Sequence, residues 1–325
     1  TAYPRRPLPA RGSASPSVVP VVVSLTRSFI PVRPDPAYWP TGCEPAGADS
    51  CYLTSGRYLQ SSDQRHTAEA TGGCDMGRFD GRVALITGAA SGIGRATALR
   101  MADDGATIVG FDRDVEGLDT VAAEVHDTGG TMTTVTGDVS RRTDCVAAVE
   151  AAVTTHGRLD VLANIAGVVW AERVADTSEE GWNRMMEINV SGSFWCAQAA
   201  LPHLIESHGN IVNIASNAGL MGQAYTVAYS TTKGAVVNMT RALAMEYVKE
   251  PVRINAVAPG GVNTPMSQNF DMPDDLDFSL MQPYMGFRKM ADPSELANVI
   301  AFVASDEASR MHGAIVSVDG GLTAG

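Results

Sequence analysis

The sequence predicts an α/β domain built on a doubly wound parallel sheet, over residues 76–325, and three observations predict it. From Arg82 onward, short β-branched apolar runs alternate with amphipathic stretches of helical length. A glycine-rich turn sits between the first such run and the first helical stretch. Composition changes abruptly at Met76. The 75 residues before it hold ten of the seventeen prolines and seven Arg against six acids, whereas the 250 residues from Met76 carry 17 basic against 30 acidic residues. A stretch of 250 residues is an ordinary size for one α/β domain.

The elements follow in order. Val83 to Thr87 is a continuous apolar run, as expected for a strand buried on both faces. A helix over Ile93 to Asp104 turns Ile93, Ala96, Leu99 and Met101 inward. A strand at Thr107 to Phe111, a helix through about Val125, a strand at Thr133 to Thr136 and a helix over Arg141 to Thr155 come next. Val161 to Asn164 is the fourth strand. Thr177 and Glu180 have capping-box spacing, so a long helix is expected to open there and run to about Ile205. Asn210 to Ile214, Arg253 to Val257 and Ala314 to Val318 supply three more strands, with helices near 226–248 and 292–304 between them.

Residues 1–75 are Pro-, Ser- and Gly-rich without sustained period 2 or 3.6, so they cannot bury enough apolar surface to offset ordering entropy. The expectation is a disordered or artefactual N-terminal extension. Targeting is the alternative, because five Arg and no acid precede Asp35 and Val18 to Leu25 is briefly apolar, though interrupted by Pro20. The acidic balance of residues 76–325 leaves no electrostatic footprint for nucleic acid and disfavours anionic membrane surfaces. No apolar run reaches the roughly 18–20 residues of a membrane span. Cys145 and Cys196 alone fall inside the domain, which offers no disulfide framework and suits a reducing cytoplasm. The six histidines are scattered, and a metal site is not indicated.

Thr87-Gly88-Ala89-Ala90-Ser91-Gly92-Ile93-Gly94 joins the first strand to the first helix. Glycines at such a junction let backbone approach a pyrophosphate at the positive end of a helix, so this turn is read as a dinucleotide site. Its Gly-x-x-x-Gly-x-Gly spacing is wider than the ordinary dinucleotide fingerprint. Asp112 ends the second strand, where a carboxylate can accept from adenosine ribose hydroxyls and repel a 2′-phosphate. Arg113 is the one neighbour that would favour that phosphate. The balance favours NAD over NADP.

Tyr229-Ser230-Thr231-Thr232-Lys233 places a phenol and an ammonium one helical turn apart. A phenol near pKa ~10 is a poor base at neutral pH. A cation at ~5 Å with an effective dielectric of ~20 contributes about 3 kcal/mol, so Lys233 is expected to draw Tyr229 toward the working range of a general acid/base. Ser216 lies just beyond the strand ending at Ile214, on the edge of the sheet where ligands sit. Together with Asp138-Val139, Asn164-Ile165-Ala166-Gly167, Asn189, Pro259-Gly260-Gly261-Val262-Asn263-Thr264 and Val318-Asp319-Gly320-Gly321, these residues make the chain resemble the short-chain dehydrogenase/reductase family over residues 80–321. Ile165 is a departure, since the family often has a second Asn there.

That resemblance implies a single Rossmann-type domain and an NAD-dependent oxidoreductase interconverting a secondary alcohol and a ketone. It implies that Tyr229 is the acid/base on the substrate oxygen, that Ser216 polarises that oxygen, that Lys233 binds the nicotinamide ribose and tunes Tyr229, and that Asn189 orders a relay water. It further implies a dinucleotide held by Gly88, Ser91, Gly92, Ile93, Gly94, Asp112, Asp138, Val139, Asn164, Ala166, Gly167, Pro259, Gly260, Val262 and Thr264, besides Tyr229 and Lys233. A homotetramer is implied as well, with the helices of residues 179–206 and 226–248 packing across one interface. Two other readings stand beside this one: an NADPH-dependent 3-oxoacyl-thioester reductase, and a dinucleotide-sensing module without catalysis, which would have no need of Ser216, Asn189, Tyr229 and Lys233. Between Met266 and Met290 the chain is rich in Met and Phe and carries Asp271, Asp274, Asp275 and Asp277. This segment is expected to form a lid over an uncharged, largely apolar, cyclic alcohol or ketone.

Overall fold

The computed structural model describes residues 77–269, 272 and 276–324. The expectations for residues 1–75, and for Phe270, Asp271, Asp274 and Asp275, lie outside the described residues. In chain order the elements are β1 (Val83–Thr87), α1 (Gly92–Asp103), β2 (Thr107–Asp112), α2 (Val115–Asp127), β3 (Thr131–Thr136), α3 (Arg142–His156), β4 (Val161–Asn164), α4 (Glu179–Met186), a π-helical segment (Glu187–Gly192) and α5 (Ser193–Glu206). They continue with β5 (Asn210–Ile214), α6 (Val227–Glu246), β6 (Arg253–Pro259), α7 (Pro265–Gln268), α8 (Gln282–Met285), α9 (Pro293–Ala304) and β7 (Ile315–Val318). Among the described residues, no helix is long and apolar enough to cross a membrane.

All seven strands pair in parallel, in the order β3-β2-β1-β4-β5-β6-β7. This is the doubly wound topology expected from the alternation of elements. Its winding reverses between β1 and β4, and a crevice opens beyond the C-terminal ends of those two strands. The two faces of the sheet explain why β1 reads as unbroken apolar sequence. Ala84 and Ile86 join a core with Met101 of α1, Leu118 of α2 and Leu296 and Ile300 of α9. Val83 and Leu85 face the other way, into a core with Val149 of α3 and Leu201 and Leu204 of α5. Every β1 side chain is buried.

The long helix differs from expectation in two ways. Its N-cap is Ser178, whose Oγ accepts from Gly181 N–H at 3.0 Å, while Thr177 Oγ1 donates to the Arg173 carbonyl. The Thr177–Glu180 capping box does not form because Thr177 closes a turn of its own one residue earlier. The helix is also interrupted at Glu187–Gly192 by wider π-type turns, a form that is uncommon and concentrated at functional sites. Asn189 lies within that interruption.

Leu85 is fully buried in the central strand that ends at the glycine turn. Leu85→Ala should therefore lower unfolding free energy by about 2–5 kcal/mol in chemical denaturation. A loss below about 1 kcal/mol would contradict the described packing.

Candidate active site

The crevice is built first by the turn after β1. Gly88 (φ 71°) and Gly92 (φ 53°) adopt left-handed conformations. A Cβ on Gly94 would run into the Gly88 carbonyl, and one on Gly88 would stand 2.9 Å from Ala166 Cα. This close approach brings the turn against the loop after β4. Thr87 Oγ1 locks the two together by accepting from Ile165 N–H at 2.9 Å and Ala166 N–H at 3.0 Å. Ser91 precedes α1 in extended conformation with no capping bond from its own side chain. The N-terminal end of α1 thus faces the crevice with its backbone donors and the positive end of the helix dipole.

Asp112 closes the far side of the turn. Its Oδ2 accepts from Ala90 N–H and its Oδ1 from Asp114 N–H, both at 3.1 Å. An ionised carboxylate has about four acceptor sites, so capacity remains for further donors. The resulting cavity is about 340 Å³, a volume typical of small-molecule and cofactor sites. Of the residues expected to hold a dinucleotide, Gly88, Ser91, Gly92, Ile93, Gly94, Asp112, Asp138, Val139, Ala166, Gly167 and Thr264 line it. Six others do not line it: Tyr229 and Lys233, described below, and Asn164, Pro259, Gly260 and Val262. Asn164 is buried and donates to Asn213 Oδ1 and the Ser193 carbonyl, so it ties β4 to β5 and α5. Pro259 ends β6, Gly260 packs against Asp319, and Val262 is buried and bridged to Ala291. Phe111, Arg184, Ile188 and Met266 also line the cavity, and sequence reasoning did not single them out for that place.

The chemical groups gather outside the cavity lining and approach it through Gly167. Lys233, 5% exposed, donates from Nζ to the Ile214 carbonyl at 2.8 Å. That bond draws α6 onto the end of β5, two residues before Ser216. Ser216 Oγ accepts from Ala218 N–H and donates to Asn217 Oδ1, both at 3.1 Å. It also meets the hydroxyl of Tyr229, which is partly buried in the first turn of α6. Lys233 Nζ lies 5.7 Å from the Tyr229 ring centroid. Gly167 connects this cluster to the cavity it lines: a Cβ there would stand 3.2 Å from Asn189 Oδ1 and 3.6 Å from Lys233 Nζ.

The Asn189 amide is hydrogen-bonded within the fold. Its Nδ2 donates to the Val168 carbonyl at 2.9 Å and to Thr232 Oγ1 at 3.1 Å, and its Oδ1 accepts from Val168 N–H at 2.8 Å. The amide is committed to fixing the loop after β4 against α6. The electrostatics differ from the simple cation argument. Burial raises the Tyr229 phenol above its ordinary value and the Ser216 bond only partly offsets this. Burial lowers Lys233 to about 8. The Lys233 charge therefore does not by itself bring Tyr229 down, because the same burial that isolates the pair disfavours both charged forms.

Tyr225 lies just before α6. It holds a positive φ of 64°, its carbonyl accepts from Glu172 N–H at 2.8 Å, and its hydroxyl accepts from Asp277 N–H at 2.9 Å. Tyr284 Oη donates to the Ala224 carbonyl at 2.6 Å. These bonds attach the Met-rich segment to the residues just before α6. Met281 of that segment is buried, whereas Met266, Phe278, Leu280, Met285 and Phe287 remain exposed.

A pH prediction follows from Lys233. In the ligand-free fold its pKa is about 8, against ~10.4 in an unfolded chain. Between those values the unfolded state binds more protons, so this group makes stability rise with pH. Unfolding free energy measured from pH 8 to 10.5 should rise more steeply for the native protein than for Lys233→Met. Parallel curves would show that Lys233 is not held in the way described.

A family model described as Enoyl-(Acyl carrier protein) reductase matches residues 88–323. The chain is 40% identical over 249 residues to the 2,5-dichloro-2,5-cyclohexadiene-1,4-diol dehydrogenase LinX of Sphingobium indicum, covering 76% of this chain and 98% of that protein. It is 37% identical over 247 residues to the 3-oxoacyl-[acyl-carrier-protein] reductase FabG of Thermotoga maritima, covering 75% of this chain and 99% of that protein. A crystal structure of a short chain dehydrogenase from Mycobacterium paratuberculosis bound to NAD superposes with a TM-score of 0.73 at 32% identity, over 77% of this chain and 100% of that one. With its parallel sheet, its glycine-lined crevice and its Ser216–Tyr229–Lys233 cluster, the chain belongs to the short-chain dehydrogenase/reductase family.

Proposed function

We propose that this protein is an NAD-dependent dehydrogenase that interconverts a secondary alcohol and a ketone. The observation that supports the reading is the cluster of Ser216, Tyr229 and Lys233, whose Lys233 Nζ would stand 3.6 Å from a Cβ on Gly167, a residue of the cavity wall. The cavity suits a dinucleotide, because its glycine turn leaves no room for side chains where a pyrophosphate would meet the α1 N-terminus. Ser91, Gly92, Ile93 and Gly94 would hold the phosphates, Asp112 the adenosine ribose, Asp138 and Val139 the base, and Ala166, Gly167 and Thr264 the nicotinamide half. When bound, oxidised NAD supplies a hydride acceptor and a positive charge next to the phenol.

The chain's own residues handle the substrate oxygen and its proton. Ser216 Oγ has one proton, now directed at Asn217 Oδ1, and rotation of that hydroxyl lets it donate to the substrate oxygen instead. Tyr229 takes the hydroxyl proton in oxidation and returns it to the carbonyl oxygen in reduction. Lys233, near pKa 8 and hydrogen-bonded to Ile214, relays that proton away from the phenol. With its amide committed and its main-chain carbonyl accepting from Ser193 Oγ at 3.2 Å, Asn189 acts by fixing Val168 and Thr232.

Asp112 and Asp114 both line the cavity with Arg113 between them, so a 2′-phosphate would face two carboxylates against one guanidinium. NAD is favoured on that balance. For substrate we favour an uncharged cyclic alcohol or ketone, in line with the ring diol in the name of the LinX relative and the exposed Met and Phe side chains of the 266–290 segment. The second reading, reduction of a 3-oxoacyl thioester with NADPH, has the FabG relative behind it. We read the assembly as a homotetramer through the faces of α4, α5 and α6 that expose Trp182, Phe194 and Met245. A cytoplasmic setting agrees with the free, buried Cys145 and Cys196. We read residues 1–75 as an extension apart from the chemistry, since the family model matches only from residue 88.

Cyclic secondary alcohols and 3-oxoacyl thioesters, each assayed with NAD(H) and NADP(H) by nicotinamide absorbance, test the proposal. Turnover of the alcohols with NAD is expected, and clear preference for thioester with NADPH would select the second reading. Asp112→Ala should lower the ratio of kcat/KM for NAD over NADP by about tenfold or more, the size of one lost charge-assisted hydrogen bond. A native preference for NADP would instead make Arg113 the reader of the ribose.

A further inference from the structure

We propose that Arg184 is a positioning residue for the base of the dinucleotide, holding Asp138 so that it selects a base presenting an amino group over one presenting an oxo group. The inference rests on the reading that this crevice binds NAD. Arg184 stands on α4, five residues before Asn189, and both Arg184 and Asp138 line the cavity together with Val139, Phe111 and Ile188. Arg184 Nη2 donates to Asp138 Oδ2 and Nη1 to Ser140 Oγ, both at 2.9 Å. Ser140 in turn donates to Asp138 Oδ1 from its backbone N–H at 2.9 Å and from Oγ at 2.8 Å. The two arms of the guanidinium fork thus fix the carboxylate and the serine that braces it.

Counting acceptor sites gives the consequence. An ionised carboxylate offers about four, two on each oxygen. Ser140 occupies both on Oδ1 and Arg184 occupies one on Oδ2, which leaves one on Oδ2, on a residue in the cavity wall. A fixed carboxylate with a single free lone pair accepts from the exocyclic amine of adenine and repels the exocyclic oxygen of hypoxanthine. The surrounding bonds hold the Asp138 carboxyl at about 2, so the group stays an acceptor at working pH. An ion pair with partners 38% and 19% exposed contributes little to stability by itself. Its place in the cavity wall points instead to recognition.

The test compares NAD with nicotinamide hypoxanthine dinucleotide on the native enzyme, Arg184→Ala and Arg184→Lys, at saturating alcohol. The native enzyme should prefer NAD. Arg184→Ala should shrink that preference in kcat/KM by about tenfold, through a higher KM for NAD rather than a lower kcat. Arg184→Lys, which keeps the charge but not the fork, should recover part of it. Both dinucleotides are measured on one preparation, so any loss of folded protein cancels from the ratio. An unchanged ratio in Arg184→Ala, or an equal fall for both dinucleotides, would overturn the assignment. Failure of the native enzyme to use NAD at all would instead defeat the proposed function.

Discussion

The hydrogen bond from Lys233 Nζ to the Ile214 carbonyl is the constraint on which the site depends. It buries an amine that would otherwise be solvated, and burial lowers its pKa to about 8. In exchange it fixes the register of α6 against β5. Tyr229, one turn before Lys233, and Ser216, two residues beyond Ile214, are thereby held within reach of each other. Gly219 permits this approach, since a Cβ there would stand 2.6 Å from the Lys233 backbone. The parallel sheet supplies the other half of the constraint, because it ends β1, β4 and β5 along one edge where the glycine turn, Gly167 and Ser216 all emerge.

The helix running from α4 through the π segment into α5 spans the two ends of the crevice. Arg184 ties it to Asp138 and Ser140 after β3, and Asn189 ties it to Val168 after β4. Both ties join backbone segments far apart in sequence. The wider π turns lie at Asn189, where the chain leaves the ordinary helical ladder to meet the loop it supports. Elsewhere, the hydroxyls of Tyr225 and Tyr284 fasten the Met-rich segment to the chain just before α6.

Much of this architecture was legible in the sequence because burial on both faces leaves a strong local mark. The runs at 83–87, 161–164 and 210–214 are predominantly apolar and became strands with those bounds. The glycine turn was legible because three of its positions tolerate no side chain or require a left-handed conformation. The helix cap was misplaced by one residue because Thr177 and Ser178 are both capable acceptors, and the choice falls to a turn closed by Arg173. The π segment, the commitment of the Asn189 amide and the Arg184–Asp138 pair left no local signal. The last two depend on partners 21 and 46 residues away. The rise in the Tyr229 pKa was likewise hidden, since sequence shows the neighbouring cation but not the desolvation that opposes it.

The central claim is that Tyr229 carries the proton, and turnover of Tyr229→Phe with a cyclic secondary alcohol and NAD tests it most directly. The ring and its packing are kept while the hydroxyl facing Ser216 is removed. The account predicts a fall in kcat of about 10²–10⁴ with NAD affinity retained. Near-normal turnover would contradict it.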